Sequence, residues 1–294
     1  MITFLNKISK TLEQNWKIKI IFFWILCLFP KNLLFYIQHN ISKRSTKPIK
    51  LIDSDWDFIL SKIKSNDKDI NINFIEFGGG RNLAQNIYLA LNCDNLCQTV
   101  VDLNHMINPR LCYIAYAEIC EIMDKEVKIK PEDFNKLLSF LRIKYESPVD
   151  ISQYKSDVKY DFCVSKDTLE HIPKDIIPNI LININNLLSD RGILISCVDY
   201  SDHYQHSSKY LSKINFLKFS KFTWFFLNPP NHYQNRIRHI DLIKMLEESN
   251  YENIEENLIR YEKIDISVSN NYKKYNEKDI LTLRSQIISL KKYA

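Results

Sequence analysis

Residues 73–91 read NFIEFGGGRNLAQNIYLAL, and this stretch decides the fold. Asn73 to Phe77 is a short β-type run, Gly78, Gly79 and Gly80 follow, and residues 81–91 carry a helical pattern. The 294-residue chain holds only four glycines, and three of them stand here. Glycine admits positive φ and lets backbone come close to a ligand, while a helix start presents free N–H groups. Strand, glycine turn and helix together therefore predict a cradle of the nucleotide-binding type. A dinucleotide fingerprint would need glycine at position 83, where Leu83 stands, and a phosphate loop would need a Gly-Lys-Ser/Thr ending, which the chain lacks.

Outward from the turn, strand and helix patterns alternate, which predicts a mostly parallel sheet. Residues 98–102 (QTVVD) form a second strand ending in Asp102. Residues 141–145 read as a third, and 160–165 (YDFCVS) as a fourth. Ile176, Ile177, Ile180, Leu181, Ile184, Leu187 and Leu188 make one helical stripe, closed by Asp190-Arg191-Gly192 with glycine as terminator. Residues 193–198 are a wholly apolar fifth strand, as a central parallel strand should be. Residues 236–250 read as a helix, and 253–261 with 280–290 as a closing strand pair. Residues 105–140 are longer than a simple crossover and predict a helical insertion, one or two helices placed as a lid over the ligand. The glycines and acids singled out fall at carboxyl ends of strands, where such sheets bind ligands.

The Glu76-x-Gly78-x-Gly80 turn resembles motif I of class I S-adenosylmethionine-dependent methyltransferases. Residues 161–172, with Asp161, Ser165 and Leu169-Glu170-His171-Ile172, resemble the stretch after strand four in many small-molecule methyltransferases. The resemblance spans roughly residues 70–292. It implies an α/β Rossmann-like class I methyltransferase fold: a seven-stranded, mostly parallel sheet with helices on both faces, here behind an N-terminal helical extension. It also implies S-adenosylmethionine as cofactor. Glu76 would organise the turn and the donor's amino-acid end, and Gly78, Gly79 and Gly80 would clear room for its methionine part. Asp102 would accept the ribose hydroxyls, with Leu103 beside it. Asp150 would meet the adenine amino group with Ile151 against the ring, and Ser165 and Lys166 would complete the donor side.

Methyl transfer from a sulfonium is an in-line displacement, so holding donor and acceptor in line is most of the task. A hydroxyl acceptor also benefits from a base. The segment after the fifth strand, residues 199–206, is DYSDHYQH. His203, held by Asp202 or Asp199, is the first candidate base, and His171 the second. Asp199, His206, Tyr233, Gln234, Asn235 and Arg236 are the candidate acceptor-binding residues. A metal on Asp199, His203 and His206 has only a three-residue spacing behind it, and none is expected. Asn228-Pro229-Pro230-Asn231 resembles the Asn-Pro-Pro-aromatic motif of amino-group methyltransferases, but it lies past strand five and lacks the aromatic. It reads as a rigid turn.

The formal charge of +5 is mild, and residues 1–50 carry nine Lys and Arg against Glu13 alone. That does not describe a dedicated nucleic-acid binder, and the basic-aromatic run at 213–226 reads as packing for an acceptor lid. The seven cysteines form no CxxC pair, which suits a reducing compartment. Residues 20–29 (IIFFWILCLF) are apolar, yet about half the roughly 20 residues a spanning helix needs. They are also without a signal-peptide cleavage site. Two readings stay open: a helix in the membrane interface, with contact through residues 16–37, or a cap on the catalytic domain. The expected organisation is residues 1–50 as this helical segment and 51–294 as the methyltransferase domain, with an acceptor-side lid at 199–235. The expected location is the cytoplasm, or peripherally the inner face of its membrane. The expected reaction is O-methylation of a small-molecule or glycan-type hydroxyl. The alternatives are a nucleic-acid methyltransferase and a non-catalytic methyltransferase-fold partner at a membrane.

Overall fold

A computed structural model describes residues 15–30, 49–65, 71–205, 208 and 210–292. The N-terminal helix α1 (Trp16–Leu26) and α2 (Ser54–Lys64) precede β1 (Ile72–Phe77) and α3 (Ala84–Asn92). Next come β2 (Leu96–Val101), α4 (Pro109–Ile122), α5 (Phe134–Phe140), β3 (Ile143–Glu146) and β4 (Tyr160–Lys166). The remainder is α6 (Ile177–Leu187), β5 (Leu188–Asp199), α7 (Lys221–Leu227), α8 (His239–Glu248), β6 (Tyr251–Arg260), α9 (Glu277–Leu281) and β7 (Thr282–Lys291).

The strands form one seven-stranded sheet in the order β3-β2-β1-β4-β5-β7-β6. The first five run parallel, and β7 enters antiparallel between β5 and β6. The period of two along each strand sorts its side chains onto two faces. Phe74, Val100, Phe162, Val164 and Ile195 pack with Ile59 and Ile63 of α2, Ile87 of α3, and Tyr116 and Ile119 of α4. On the other face Ile75, Phe77, Val101, Cys163, Leu194 and Val198 meet Ile177, Ile180, Leu181 and Ile184 of α6 and Leu242 and Leu246 of α8. Both faces are covered, so the central strands carry apolar residues on both sides.

Three expectations change. The third strand starts at Ile143, not Leu141, because Leu141 caps α5 and Arg142 takes a positive φ of 52°. Gly192 does not terminate a helix. The helix ends at Leu187, and β5 runs on from Leu188 through an irregularity that pairs Tyr160 with Leu188 and Phe162 with Ile193. A Cβ on Gly192 would stand 2.7 Å from Leu188 Cβ, so glycine serves the tight self-approach there. The 105–140 insertion is two helices that bury Cys112, Ala115, Tyr116, Ile119 and Leu137 in the main core, and it is crossover rather than lid.

A third apolar cluster stands apart from the sheet faces. Ile20 of α1, Ile214, Phe216, Leu217, Trp224 of α7, Tyr204, Tyr272, Ile280, Leu281 and Leu283 form it. Trp24 Nε1 donates to the Phe226 carbonyl at 2.7 Å, and Phe23 stacks on His232 at 4.4 Å. Helix α1 thus caps the 199–235 segment. Residues 1–14 and 31–48 of the basic N-terminal run lie outside the described residues, and no described helix is long and apolar enough to cross a membrane.

Arg238 is fully buried and ties this subcore to the sheet edge. Its guanidinium donates to the carbonyls of Tyr200 at 3.0 Å, Asp279 at 3.2 Å, Ile280 at 3.3 Å and Thr282. Burial lowers its pKa to about 10, which leaves it charged at neutral pH. Arg238→Leu strands these carbonyls and should cost about 3 kcal/mol or more of stability. Urea unfolding of the variant checks this, and a loss below about 1 kcal/mol would show that water replaces the guanidinium.

Candidate functional site

The glycine turn joins β1 to α3 at the carboxyl edge of the sheet. Gly78 and Gly80 hold φ of +82° and +74°, values an L side chain rarely adopts. The three positions differ in what surrounds them. A Cβ on Gly78 would stand 2.3 Å from Thr168 Oγ1, and one on Gly79 would stand 2.4 Å from Val100 Cγ1. Those two glycines serve the packing of the chain on itself. A Cβ on Gly80 would meet nothing within 4 Å, so the third glycine faces open space. Below the turn, Glu76 is 3 % exposed and accepts from Gln85 Nε2 at 2.9 Å and Asn86 Nδ2 at 2.7 Å, both in the first turn of α3. Burial pushes its carboxyl up to about 7, and these amides only partly offset that.

The next two strands bring their acids to the same rim. Asp102 follows β2, accepts from the Tyr145 hydroxyl at 2.9 Å and from the Gly79 N–H, and is raised by burial to about 6. Its own carbonyl accepts the Val149 N–H at 2.9 Å, which holds the loop after β3 against β2. Asp150 in that loop is exposed, with Oδ1 accepting from Ser152 N–H at 2.9 Å and Ser152 Oγ at 2.7 Å. Ile151 is buried beside Val101, and Leu103 is 66 % exposed next to Asp102. Glu76, Asp102 and Asp150 therefore end or follow three adjacent strands. A separate cavity of about 440 Å³, lined by Leu91, Leu96, Phe140 and Arg142 among others, lies at the opposite, amino ends of β2 and β3.

Lys166 faces a different task from the one its position implied. Its ammonium lies 2.6 Å from Asp167, 3.1 Å from Asp53 and 3.7 Å from Asp55, at the start of α2. Arg284 of β7 joins the group, 2.7 Å from Asp55, 3.0 Å from Asp167 and 3.6 Å from Asp199. Burial works against the Lys166 charge, but Asp167, Asp53 and Asp55 outweigh it and raise its pKa. The side chain ties the start of α2 to the end of β4 through these carboxylates. Ser165 is fully buried with its Oγ unpartnered.

On the acceptor side, a 3₁₀ turn (Leu169–His171) follows β4 and the 199–205 segment follows β5. The His171 and His203 rings stand 5.0 Å apart. His203 Nε2 is 3.7 Å from Asp199 Oδ2. Asp199, and not Asp202, is thus the carboxylate at His203. Asp202 is fully buried, with Oδ1 accepting the Tyr204 N–H at 2.8 Å and Oδ2 the Asn215 amide at 3.0 Å. It folds its own loop. His206 lies outside the described residues.

The 233–236 cluster is a set of staples. The Tyr233 carbonyl accepts from His171 Nδ1 at 2.8 Å. Gln234 accepts the His203 N–H at 3.2 Å and donates to the Ser201 carbonyl. Asn235 donates to the carbonyls of Leu169 and Ile172, both at 2.7 Å. Arg236 donates to the Phe216 and Phe219 carbonyls at 2.9 and 2.7 Å and lies over the Trp224 ring. Gln234 and Asn235 hold the segments that carry His203 and His171, while Arg236 ties the turn at 216–220. Glu170, quoted in a motif but given no role by the sequence, is 2 % exposed between these elements, and burial pushes its carboxyl well up.

The Glu76 carboxyl carries a linkage prediction. Its folded value of about 7 lies above its ordinary 4.5, so the folded state binds this proton more tightly. The resulting stabilisation is complete below pH 4.5 and is lost as pH rises through about 7. Glu76→Gln removes the titration, so its stability relative to the parent should improve by roughly 2–3 kcal/mol between pH 4.5 and 8. Guanidinium unfolding of both proteins across that range checks it, and a pH-independent difference would refute it.

No family model and no curated protein matches this sequence. Solved structures do. Magnesium protoporphyrin IX methyltransferase from Synechocystis PCC 6803, crystallised with S-adenosylhomocysteine, is 14% identical with a TM-score of 0.48, over 89% of this chain and 99% of that one. The 1,6-didemethyltoxoflavin-N1-methyltransferase of Burkholderia thailandensis is 13% identical at TM-score 0.47, over 88% and 84%. A S-adenosylmethionine-dependent methyltransferase from Clostridium acetobutylicum ATCC 824 is 13% identical at 0.46, over 90% and 99%. The fold itself is legible in the strand order, five parallel strands with an antiparallel seventh set between the fifth and sixth, and it is the α/β class I methyltransferase fold.

Proposed function

We propose that the chain is an S-adenosylmethionine-dependent methyltransferase that methylates a hydroxyl on a small-molecule or glycan-type acceptor. The observation that supports this is the open space over Gly80 after β1, with Asp102 and Asp150 following the two neighbouring strands and the His171 and His203 rings following β4 and β5. When bound, S-adenosylmethionine supplies an electrophilic methyl group on a cationic sulfur. The residues present fit such a ligand. A carboxylate offers about four acceptor positions, and the protein fills two on Asp102, leaving the others for ribose hydroxyls. Asp150 is exposed and free to meet an adenine edge, while Ile151, expected against the ring, is 7 % exposed and Leu103 stands open beside Asp102. Glu76 holds the start of α3 in place from below. On the acceptor side, Asp199 beside His203 favours the imidazolium that forms when His203 takes a hydroxyl proton.

Calorimetry of the full chain with S-adenosylhomocysteine tests the reading. Saturable heat and a thermal upshift are expected, and Asp102→Ala should weaken binding by roughly 1–3 kcal/mol, as for a lost charged hydrogen bond. Absence of both heat and thermal shift would remove the enzyme reading, while unchanged affinity in Asp102→Ala would misplace the ribose contact.

The two readings of the N-terminal segment are compatible. While one side of α1 caps the 199–235 segment, Ile18, Ile21, Ile25, Leu28 and Phe29 stay exposed, Ile21 by 60 %. Helix α7 lies alongside and exposes Phe222, Phe225 and Phe226. Lys17 and Lys218 lie at the Trp16 ring at the start of α1, and Lys221 opens α7. An apolar row edged by lysines suits an anionic membrane surface, and it would bring a lipid-linked acceptor to the lid. Flotation with phosphatidylglycerol vesicles should capture the chain, and Ile21→Glu with Phe225→Glu should reduce capture at least fivefold. Capture that ignores both substitutions would exclude this face.

A further inference from the structure

Three side chains on the acceptor side converge without a common purpose in the fold. Glu170, His171 and His203 each offer one ligand atom, and these atoms lie within 4.8 Å of one another. Glu170 Oε1 accepts the Asp199 N–H at 3.3 Å, but Oε2 is buried with no hydrogen-bond partner. An unpaired carboxylate oxygen in that setting is costly. Something cationic at this point would remove the cost. The His171 ring is already oriented for the purpose. Its Nδ1 must be the donor to the Tyr233 carbonyl at 2.8 Å, because a carbonyl only accepts. A neutral imidazole then presents Nε2 as a lone pair, the usual arrangement in which a backbone carbonyl fixes a metal-ligating tautomer.

We propose that Glu170, His171 and His203 form a divalent-cation site of the two-histidine, one-carboxylate type, in the class of Zn²⁺, Co²⁺, Mn²⁺ or Fe²⁺. Imidazole and carboxylate donors suit these ions. Three protein ligands leave coordination positions open, as in catalytic rather than structural sites. Metal–ligand bonds of about 2.1 Å require the three atoms to close in slightly, by side-chain rotation of the exposed His171 and half-buried His203. The inference rests on the methyltransferase reading and deepens it. An ion here, next to the methyl-transfer position, would bind the acceptor through its hydroxyl and acidify that hydroxyl. His203 would then act as a ligand rather than as the base. The acceptor class narrows to hydroxyl compounds able to coordinate a cation. The unpartnered Oε2 and the oriented Nε2 are the two independent observations behind it.

The test uses the metal alone. Equilibrium dialysis of the full chain against Co²⁺, with its visible spectrum recorded, should give one tightly bound ion per chain in a nitrogen–oxygen environment. Glu170→Gln, His171→Ala and His203→Ala should each lower Co²⁺ affinity at least tenfold. S-adenosylhomocysteine calorimetry on the same variants reports whether they fold, and its affinity should change less than twofold. Absence of stoichiometric Co²⁺, or binding that survives both histidine substitutions, overturns the site and leaves His203 as the base. Co²⁺ bound without any S-adenosylhomocysteine binding in the parent chain would instead support the site and refute the donor assignment.

Discussion

The carboxylate of Asp102 takes the Gly79 N–H and the Tyr145 hydroxyl, while its own carbonyl takes the Val149 N–H. Through these bonds one residue fastens the ends of β1, β2 and β3 together. The glycine turn then has only one path. Thr168 and Val100 leave no space for a side chain at its first two positions, and only Gly80 opens outward. The rim is built from main-chain closure, and the acids stand on it because the strands end together.

Much of this was readable in the sequence. The strand, triple glycine and helix at 72–92 announce themselves through local pattern, and so do β2 and β4, because a period of two and a burst of glycine are properties of neighbours in the chain. Asp102 and Asp150 were placed by the same local logic. The errors have a common cause. Lys166 was read as a donor contact, but Asp53 and Asp55 claim it from more than a hundred residues away. Asp202 looked like a partner for His203 because the two are adjacent, yet its oxygens turn to Tyr204 and Asn215. Gln234, Asn235 and Arg236 resemble a recognition surface in one dimension and act as fasteners in three. No short window records which carbonyls a long polar side chain will find. Glu170 was in view within its motif. Its solitary oxygen was not, because burial is a tertiary fact.

The acceptor half differs in kind from the donor half. The donor rim is carried on the sheet, while the acceptor side leans on a subcore of aromatic side chains from α1, α7 and the 3₁₀ turns around Phe216 and His232. His171 and His203 depend on that subcore through Tyr233 and Gln234.

The antiparallel β7 joins parts of the chain that are far apart in sequence. It follows β6 in the chain, yet it slots between β5 and β6 and delivers Arg284 to Asp55, Asp167 and Asp199. The carbonyls of residues 279, 280 and 282 that hold Arg238 arrive with it. The glycine turn closes on neighbours near in sequence, whereas the segment after β5 is also held, through Arg238, by residues far along the chain. Closing the long loop between β5 and β7 therefore limits how fast that segment sets.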